Sequence, residues 1–307
     1  MTHCKKEDIK TRMIPLMHAE SLINQYVNGT IDQPPKISII SLLGNGTYSS
    51  VYKIAFEHPS LPHTKLHMAC KIMNPENLLK KKIYNSEMSC NMIVRNMVNS
   101  QANPHFVICL NSRLSIAGSP IIISELCQGT LHDLIYSNSL TSIAEYSSIL
   151  LQGIMALYSI VKNGLSHRDL YPKNILYTKM DPGTVYEYQF PDFKKSITIS
   201  YLIKIADWGI AEPKEQSLFK KGTSILHSYK QLKEKHVTHF KLGRYAYDMI
   251  SFFFGMLLLT KNKQHIAPIR NYVKRLLKHL IQKNNQFDKQ ENALLFIIHF
   301  ILPFRFF

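Results

Sequence analysis

The stretch that decides the fold runs from Ser166 to Asn174 and reads Ser-His-Arg-Asp-Leu-Tyr-Pro-Lys-Asn. Asp169 and Asn174 stand five positions apart, so a carboxylate and a side-chain amide fall within one short loop. A match of this length is only moderately specific by itself. Its weight comes from its place in the chain, because a glycine-bearing hairpin precedes it and an Asp-Trp-Gly segment follows it.

The glycine-bearing segment begins at Leu43 and reads Leu-Gly-Asn-Gly-Thr-Tyr-Ser-Ser-Val-Tyr. The alternating stretch 37–40 predicts a strand before it, and 51–55 predicts the returning strand. Glycines let a backbone come close to phosphate oxygens and present N–H groups to them. Any tight hairpin turn also favours glycine, so this pattern taken alone leaves both interpretations open.

The next predicted strand, 66–72, carries Lys71 among apolar residues. An ammonium group buried without a partner is costly, so Lys71 predicts a nearby acidic side chain. Glu87 is the best candidate, because it lies in a stretch from about 75 to 99 with apolar residues at helical spacing. Without Lys71, Glu87 would be interpreted as an ordinary solvated charge on a helix.

The downstream segment, 201–209, reads Tyr-Leu-Ile-Lys-Ile-Ala-Asp-Trp-Gly and predicts a strand that ends at an Asp-x-Gly turn. Such turns are common, so the segment is informative mainly because it follows Asn174. Trp208 is the only tryptophan in the chain, and it is apolar and large enough to pack in a core.

In this order the segments resemble the eukaryotic-type protein kinase superfamily, and the resemblance covers roughly residues 37–259. Ser-His-Arg-Asp-Leu-x-x-x-Asn is similar to its catalytic loop, Met-Ala-Cys-Lys to its Val-Ala-Ile-Lys motif, and Asp-Trp-Gly to its Asp-Phe-Gly. Ser49 stands where the family has its third glycine. The resemblance implies an α+β, bilobal fold whose small lobe has an antiparallel sheet and one helix, and whose second lobe is mainly helical and trimmed. The implied boundaries are an extension at 1–36 and a kinase domain at 37–307, with lobes at about 37–125 and 126–307.

The resemblance implies ATP and Mg²⁺ as cofactors and a hydroxyl group of a protein as acceptor. Asp169 would be the catalytic residue that takes the hydroxyl proton. Lys173 would bring a positive charge toward the transferred phosphoryl group. Asn174 and Asp207 would hold magnesium.

Lys71, fixed by Glu87, would contact the nucleotide phosphates, and backbone groups near Glu125 and Cys127 would bond adenine. Asp248 resembles the aspartate that braces the catalytic-loop backbone in the family. The residues expected around the nucleotide are Leu43, Gly44, Asn45, Gly46, Thr47, Tyr48, Ser49, Val51, Ala69, Lys71, Glu87, Glu125 and Cys127.

Composition agrees with an intracellular domain, cytoplasmic or nuclear. The chain has 307 residues, and its five cysteines are odd in number, scattered and without a Cys-x-x-Cys pair, as expected of reduced thiols. No signal peptide is visible at the N-terminus. The longest apolar runs, 250–260 and 294–303, are too short or too interrupted to span a bilayer, so no membrane partner is expected.

The net charge of +16 concerns association rather than fold. Three interpretations compete: a lysine-rich solvated surface, an acidic protein substrate, and nearby nucleic acid. The basic clusters lack the aromatic residues of a nucleic-acid platform, so nucleic acid is not indicated beyond general charge. Nothing in the sequence indicates the oligomeric state.

Several departures from the family bear on specificity and regulation. Tyr171 occupies a position where serine/threonine kinases carry lysine, whereas Pro172 is typical of that class, so the sequence favours serine/threonine without settling it. No Ala-Pro-Glu follows the Asp-Trp-Gly, and the polar stretch 211–241 offers candidate phosphorylation sites at Ser217, Thr223, Ser224 and Thr238. The short C-terminal part, with helices predicted at 267–283 and 291–302, is similar in style to kinases of large DNA viruses.

Two segments lie outside the common pattern. Residues 180–195 contain an Asp-Pro-Gly turn signal and predict an extended hairpin between two strands of the second lobe. Residues 1–36 predict a short helix at 19–27 that packs on the small lobe or leads into it.

Two other functions remain open. Ser49 and the lack of Ala-Pro-Glu favour a pseudokinase that binds nucleotide and serves as an interaction scaffold. A kinase-like enzyme acting on small molecules would share the ATP site but usually replaces the His-Arg-Asp-Leu context.

Overall fold

The computed structural model describes residues 6–46, 49–60, 65–73, 78–101, 103–110, 114–116, 118–189, 194–213 and 244–259. By compactness the chain divides into two units. The N-terminal unit comprises Met1–Cys127 with Glu187–Lys195, and the C-terminal unit comprises Gln128–Tyr186 with Ser196–Phe307.

The N-terminal unit is built on an antiparallel sheet in the order β1-β2-β3-β5-β4. Its strands are β1 (Lys36–Asn45), β2 (Ser49–Glu57), β3 (Leu66–Met73), β4 (Leu114–Ile116) and β5 (Ser119–Glu125). Helix α2, Leu78–Gln101, packs on this sheet through a cluster of buried side chains. The cluster contains Met73, Ile83, Tyr84, Met88 and Ile122. The strands and helix predicted from apolar spacing are thereby confirmed, with the helix shifted by two to three residues.

A second helix in this unit, α1, runs from Lys6 to Val27 and is much longer than the helix predicted at 19–27. The observed helix contains Pro15, and proline usually breaks a helix interior. Here the helix continues through it. The small lobe at about 37–125 contains the one helix expected there, α2, and α1 is the helix of the N-terminal extension.

The inserted segment forms the predicted hairpin, with β9 at Val185–Gln189 and β10 at Lys194–Thr198. Its tip groups with the N-terminal unit, which the sequence did not indicate. Within that unit the hydroxyl of Tyr188 and Nε2 of His105 are hydrogen bonded at 2.8 Å, and their rings stack. Both side chains are buried, so this contact is part of the unit's interior.

The C-terminal unit is centred on α4, Ile143–Lys162. A capping box at Ser142 and Glu145 starts the helix. Its length and composition would suit a membrane span, but it is mostly buried inside the fold, as expected of a core helix. The other helices described here are α3 (Leu131–Tyr136) and α5 (Arg244–Leu259).

Short strands complete the C-terminal unit and carry its functional loops. They form a sheet in the order β11-β8-β6 and a two-stranded β12-β7 pair. Their bounds are β6 (Gly129–Thr130), β7 (Leu165–Ser166), β8 (Ile175–Lys179), β11 (Tyr201–Ile205) and β12 (Glu212–Pro213). The helices predicted at 267–283 and 291–302 and the candidate phosphorylation sites Ser217, Thr223, Ser224 and Thr238 lie outside the described residues.

Candidate active site

In the N-terminal unit, the lysine of β3 and the glutamate of α2 form the expected ion pair. Nζ of Lys71 lies 2.8 Å from each carboxylate oxygen of Glu87, and the two side chains are 15% and 4% exposed. The thiol of Cys70 lies on the opposite face of the strand from Lys71, and burial raises its pKa to about 11. A lysine held in this way presents a fixed positive charge, which suits phosphate oxygens.

The glycine-bearing hairpin joins β1 to β2 in the same unit. The N–H of Gly46 donates to the carbonyl of Ser49 at 2.8 Å, and the Ser50 hydroxyl donates to Oδ1 of Asn45 at 2.7 Å. A methyl group on Gly44 would meet no atom within 4 Å, so that face of the strand is open. Two further predicted residues, Thr47 and Tyr48, lie outside the described part of the chain.

Leu43 and Val51 flank this hairpin. Val51 pairs with Gly44 on one side and with Lys71 on the other. Leu43 falls in a register shift of β1 and is half exposed, at 50%. The position of Leu43 beside the nucleotide stays a prediction.

The predicted adenine-binding residues lie on β3 and at the end of β5. Ala69 is paired with Ser124, and Met68 with Glu125. The carboxylate of Glu125 is buried and accepts from the backbone N–H of Ile108 at 3.0 Å, while its own N–H donates to the Ile108 carbonyl at 3.0 Å. A role for Glu125 in nucleotide binding therefore rests on its backbone carbonyl. Cys127 follows at intermediate exposure.

In the C-terminal unit, the catalytic-loop residues Asp169 and Asn174 are in direct contact. Nδ2 of Asn174 donates to Oδ2 of Asp169 and to its backbone carbonyl, both at 2.9 Å. A short 3-10 turn at Pro172–Asn174 brings them together, with proline at its first position, where no N–H is needed. The turn also contains Lys173, whose side chain is exposed and stays a predicted cation for the transferred group.

Asp248, on α5, holds the other end of this loop. Its carboxylate accepts from the backbone N–H groups of His167 and Arg168, both at 2.6 Å, and from the Ser166 hydroxyl at 3.2 Å. Burial raises the pKa of the Asp248 carboxyl, and these hydrogen bonds act in the opposite direction. The bracing contact that the resemblance implied is present. It also supports Arg168 in a left-handed backbone conformation, with φ of 67°, which a non-glycine residue rarely adopts.

Asp207 is tied to the same loop through its neighbours. The N–H of Ala206 donates to the carbonyl of Asn174 at 2.9 Å, and the Ala206 carbonyl is 2.8 Å from Nε2 of His167. Trp208 is buried with its ring centroid 4.7 Å from that of His167, so it takes the expected packing place. Asp207 itself has a φ of 62°, a second strained residue in this site.

The side chains of Asn174 and Asp207 carry oxygen atoms of the kind that magnesium prefers. Among the described residues no group of three histidine, cysteine, aspartate or glutamate side chains could hold a metal as a protein-only centre. Magnesium prefers oxygen ligands and is usually bound by one or two carboxylates together with substrate phosphates. The carboxylate of Asp207 and the amide oxygen of Asn174 form a donor set of that kind.

Sequence reasoning missed Gly255, in the middle of α5. A methyl group at this position would overlap Cδ of Pro172 and crowd the ring of Tyr171. The absence of a side chain therefore lets α5 contact the catalytic loop directly. In the sequence, Gly255 lies inside an apolar run, and nothing there signals which residue it faces.

Comparison with known proteins agrees with this arrangement. The family described as protein kinase domain matches residues 37–229, which is more than half of the chain. The chain therefore belongs to the protein kinase family, and its fold is the α+β fold of that family.

Among individual proteins, the chain is similar to a calcium/calmodulin-dependent protein kinase type I of Schizosaccharomyces pombe. The two are 29% identical over 161 residues, which cover 50% of this chain and 45% of the relative. The match thus spans less than half of the relative's length.

Proposed function

We propose that the chain is an active protein kinase that uses ATP and magnesium to phosphorylate serine or threonine hydroxyls of proteins. The observation that carries this proposal is the contact between Asp169 and Asn174, at 2.9 Å. Nucleotide binding alone does not require an aspartate at this position, whereas transfer to a hydroxyl group does, because the proton must be accepted.

The proposed roles follow the chemistry of each side chain. Lys71 holds the phosphates by its charge, and Glu87 keeps that charge in place. Asn174 and Asp207 would hold magnesium, which when bound neutralises charge on the phosphate oxygens. Asp169 orients the acceptor hydroxyl and takes its proton. Most of the rate enhancement would come from positioning and charge stabilisation.

The serine/threonine preference is the finer part of the proposal. It is supported by Pro172, which is typical of that class and occupies the first position of the 3-10 turn. Lys173 lies four residues after Asp169, where tyrosine kinases often carry arginine, so its exposed charge does not decide between the two classes. The net charge of +16 supports a preference for acidic protein substrates. An intracellular location and a viral origin remain predictions from composition and style.

The alternative is a pseudokinase that binds nucleotide without transferring phosphate. It is favoured by Ser49 in the place of a glycine and by the missing Ala-Pro-Glu. The preformed contact of Asp169 with Asn174 favours the enzyme, because a scaffold has no need for it.

The experiment is incubation of the full chain with labelled ATP, magnesium and a mixture of acidic and basic proteins, followed by phosphoamino-acid analysis. Asp169→Asn should abolish label transfer while nucleotide affinity is retained. Asp181→Asn, which changes an exposed aspartate in a turn, is the matched control and should leave transfer unchanged. Magnesium-dependent nucleotide binding without transfer to any protein would establish the scaffold, and phosphotyrosine as the product would refute the serine/threonine assignment.

A further inference from the structure

Helix α1 presents a regular apolar face to the N-terminal unit. Its buried side chains recur at helical spacing, and the helix lies against β5. These side chains are Met13, Leu16, Ala19, Leu22 and Ile23. One face of α1 therefore packs on the N-terminal unit, although the helix precedes the region matched by the family.

An ion pair connects α1 to α2 directly. Oε2 of Glu20 on α1 lies 2.7 Å from Nη1 of Arg95 on α2, and the two side chains are 13% and 20% exposed. A polar groove of about 360 Å³ runs beside the pair and is lined by Ser21, Asn24 and Gln25 among others. Water in this groove can solvate a charge that loses its partner, so single substitutions at Glu20 should leave the chain folded.

The contact acts on the helix that carries Glu87. Arg95 follows Glu87 by about two turns and points about 80° around the helix axis from it. Because α2 is one continuous helix from Leu78 to Gln101, a contact at Arg95 restrains rotation at Glu87. A rotation of about 30° would move a side-chain tip at a radius of about 5 Å through about 3 Å. That displacement is as large as the 2.8 Å contact between Glu87 and Lys71.

We propose that α1 is a built-in brace and that Glu20 is a positioning residue. Through Arg95, Glu20 fixes the rotation of α2 and so keeps Glu87 on Lys71. The brace belongs to the same chain as the helix that it restrains. The proposal rests on the proposed function for its consequence in catalysis, but the restraint on α2 itself is independent of phosphate transfer.

The test compares Glu20→Gln, Arg95→Glu and the charge-reversed double variant Glu20→Arg with Arg95→Glu, all in the full chain. Glu57→Gln, which breaks an exposed ion pair in the same unit, is the matched control. Amide hydrogen exchange of α2 measures how firmly the helix is restrained. KM for ATP and kcat measure whether that restraint affects nucleotide binding and phosphate transfer. Glu20→Gln should speed exchange around Glu87 and raise KM for ATP by about tenfold, as is typical when a supporting contact is lost.

The double variant should restore both slow exchange and the normal KM, because it re-forms the pair with exchanged charges. Unchanged exchange around Glu87 in a folded Glu20→Gln protein would overturn the proposal. So would a double variant that recovers thermal stability without recovering the exchange rate, because Glu20 would then be merely structural. If the unmodified chain transfers no phosphate but exchange responds as stated, the brace stands and the proposed enzymatic function fails.

Discussion

Two lysine–glutamate pairs in the N-terminal unit have almost the same geometry and very different surroundings. Lys71 lies 2.8 Å from Glu87, and the side chains are 15% and 4% exposed. Lys65 lies 3.0 Å from Glu57, and those side chains are 67% and 29% exposed. Distance alone therefore does not distinguish a pair that serves function from one that solvent could replace.

The difference lies in what water can do. Around Glu57, water and salt compete with Lys65, and pairs of this kind contribute little to stability. Around Glu87, the carboxylate has been removed from water and depends on Lys71 for its compensation. Buried ion pairs are often no more stabilising than apolar residues of the same volume. The contribution of the Lys71–Glu87 pair is therefore to fix the position of the charge on Lys71.

The strongest test of this comparison replaces each lysine by methionine. Lys71→Met should lower kcat/KM by about 1,000-fold, because a preorganised charge on the phosphates is lost. Lys65→Met should stay within about twofold of the unmodified chain, since its charge is exposed. Steady-state kinetics with circular dichroism as a check of folding would measure both. Equal losses of kcat/KM in the two variants would show that Lys71 has no special role.

The second test replaces the two glutamates by glutamine. Glu87→Gln should lower kcat/KM by about 10- to 100-fold, because Lys71 keeps its charge but loses the group that orients it. It should also destabilise the unit by up to about 3 kcal/mol, since an uncompensated charge remains partly buried. Glu57→Gln should change neither quantity measurably. Thermal unfolding and initial rates measured on the same preparations would separate the effect on stability from the effect on kcat/KM. A Glu87→Gln variant with unchanged kcat/KM would contradict the role of Glu87 in orienting Lys71.

Two glycines of the C-terminal unit, Gly255 and Gly153, differ in a similar way in what surrounds them. A methyl group on Gly255 would overlap Pro172 of the catalytic loop, whereas one on Gly153 of α4 would overlap the ring of Phe252 in the core. Both Gly→Ala changes should destabilise by about 1–3 kcal/mol through overpacking. Only Gly255→Ala should also lower kcat, by about tenfold, because it displaces the loop that carries Asp169.

Measured below the unfolding transition, nucleotide affinity should be unchanged in both glycine variants. Adding Pro172→Ala to Gly255→Ala removes the ring carbons in the way and should recover part of kcat. Equal kcat values for the two single variants would assign Gly255 to core packing alone.

The smallest expected effect is on the pKa of Glu57 in the exposed Lys65–Glu57 pair. The hydrogen bond from Lys65 lowers the pKa of the Glu57 carboxyl below its usual value of 4.5. A lowered pKa stabilises the folded state above pH 4.5, and that contribution is lost as pH falls through the lowered pKa. Lys65→Met should therefore move the pKa of Glu57 back toward 4.5, which an NMR titration would detect. An unchanged titration would show that the pair does not persist in solution.

Much of the fold could be predicted because local patterns and a fixed order of motifs agree. The apolar spacing in α2 indicated its buried face, and Lys71 inside a strand required an acid nearby. The pairing of Asp248 with the catalytic-loop backbone followed from the family resemblance, since no local pattern connects residues about 80 positions apart.

The remainder depended on contacts that sequence spacing does not encode. The length of α1 was underestimated: the helix extends through Pro15, and the tertiary packing of its apolar face contributes to its stability. The pairing of Glu20 with Arg95 joins two helices far apart in the chain, as does the contact of His105 with Tyr188. Charged residues are mostly exposed, and tyrosine and histidine are intermediate in burial, so nothing in the sequence singled out these four residues.

The burial of Trp208 against His167 has an optical consequence. As the chain has a single tryptophan, its tryptophan fluorescence comes from one indole, and Trp208 directly follows Asp207 in the sequence. Excitation at the long-wavelength edge of the absorption band selects tryptophan over the tyrosines. The emission is then a signal from Trp208 that needs no added label. A spectrum recorded while magnesium and nucleotide are titrated would report on the environment of the indole ring before any phosphate is transferred.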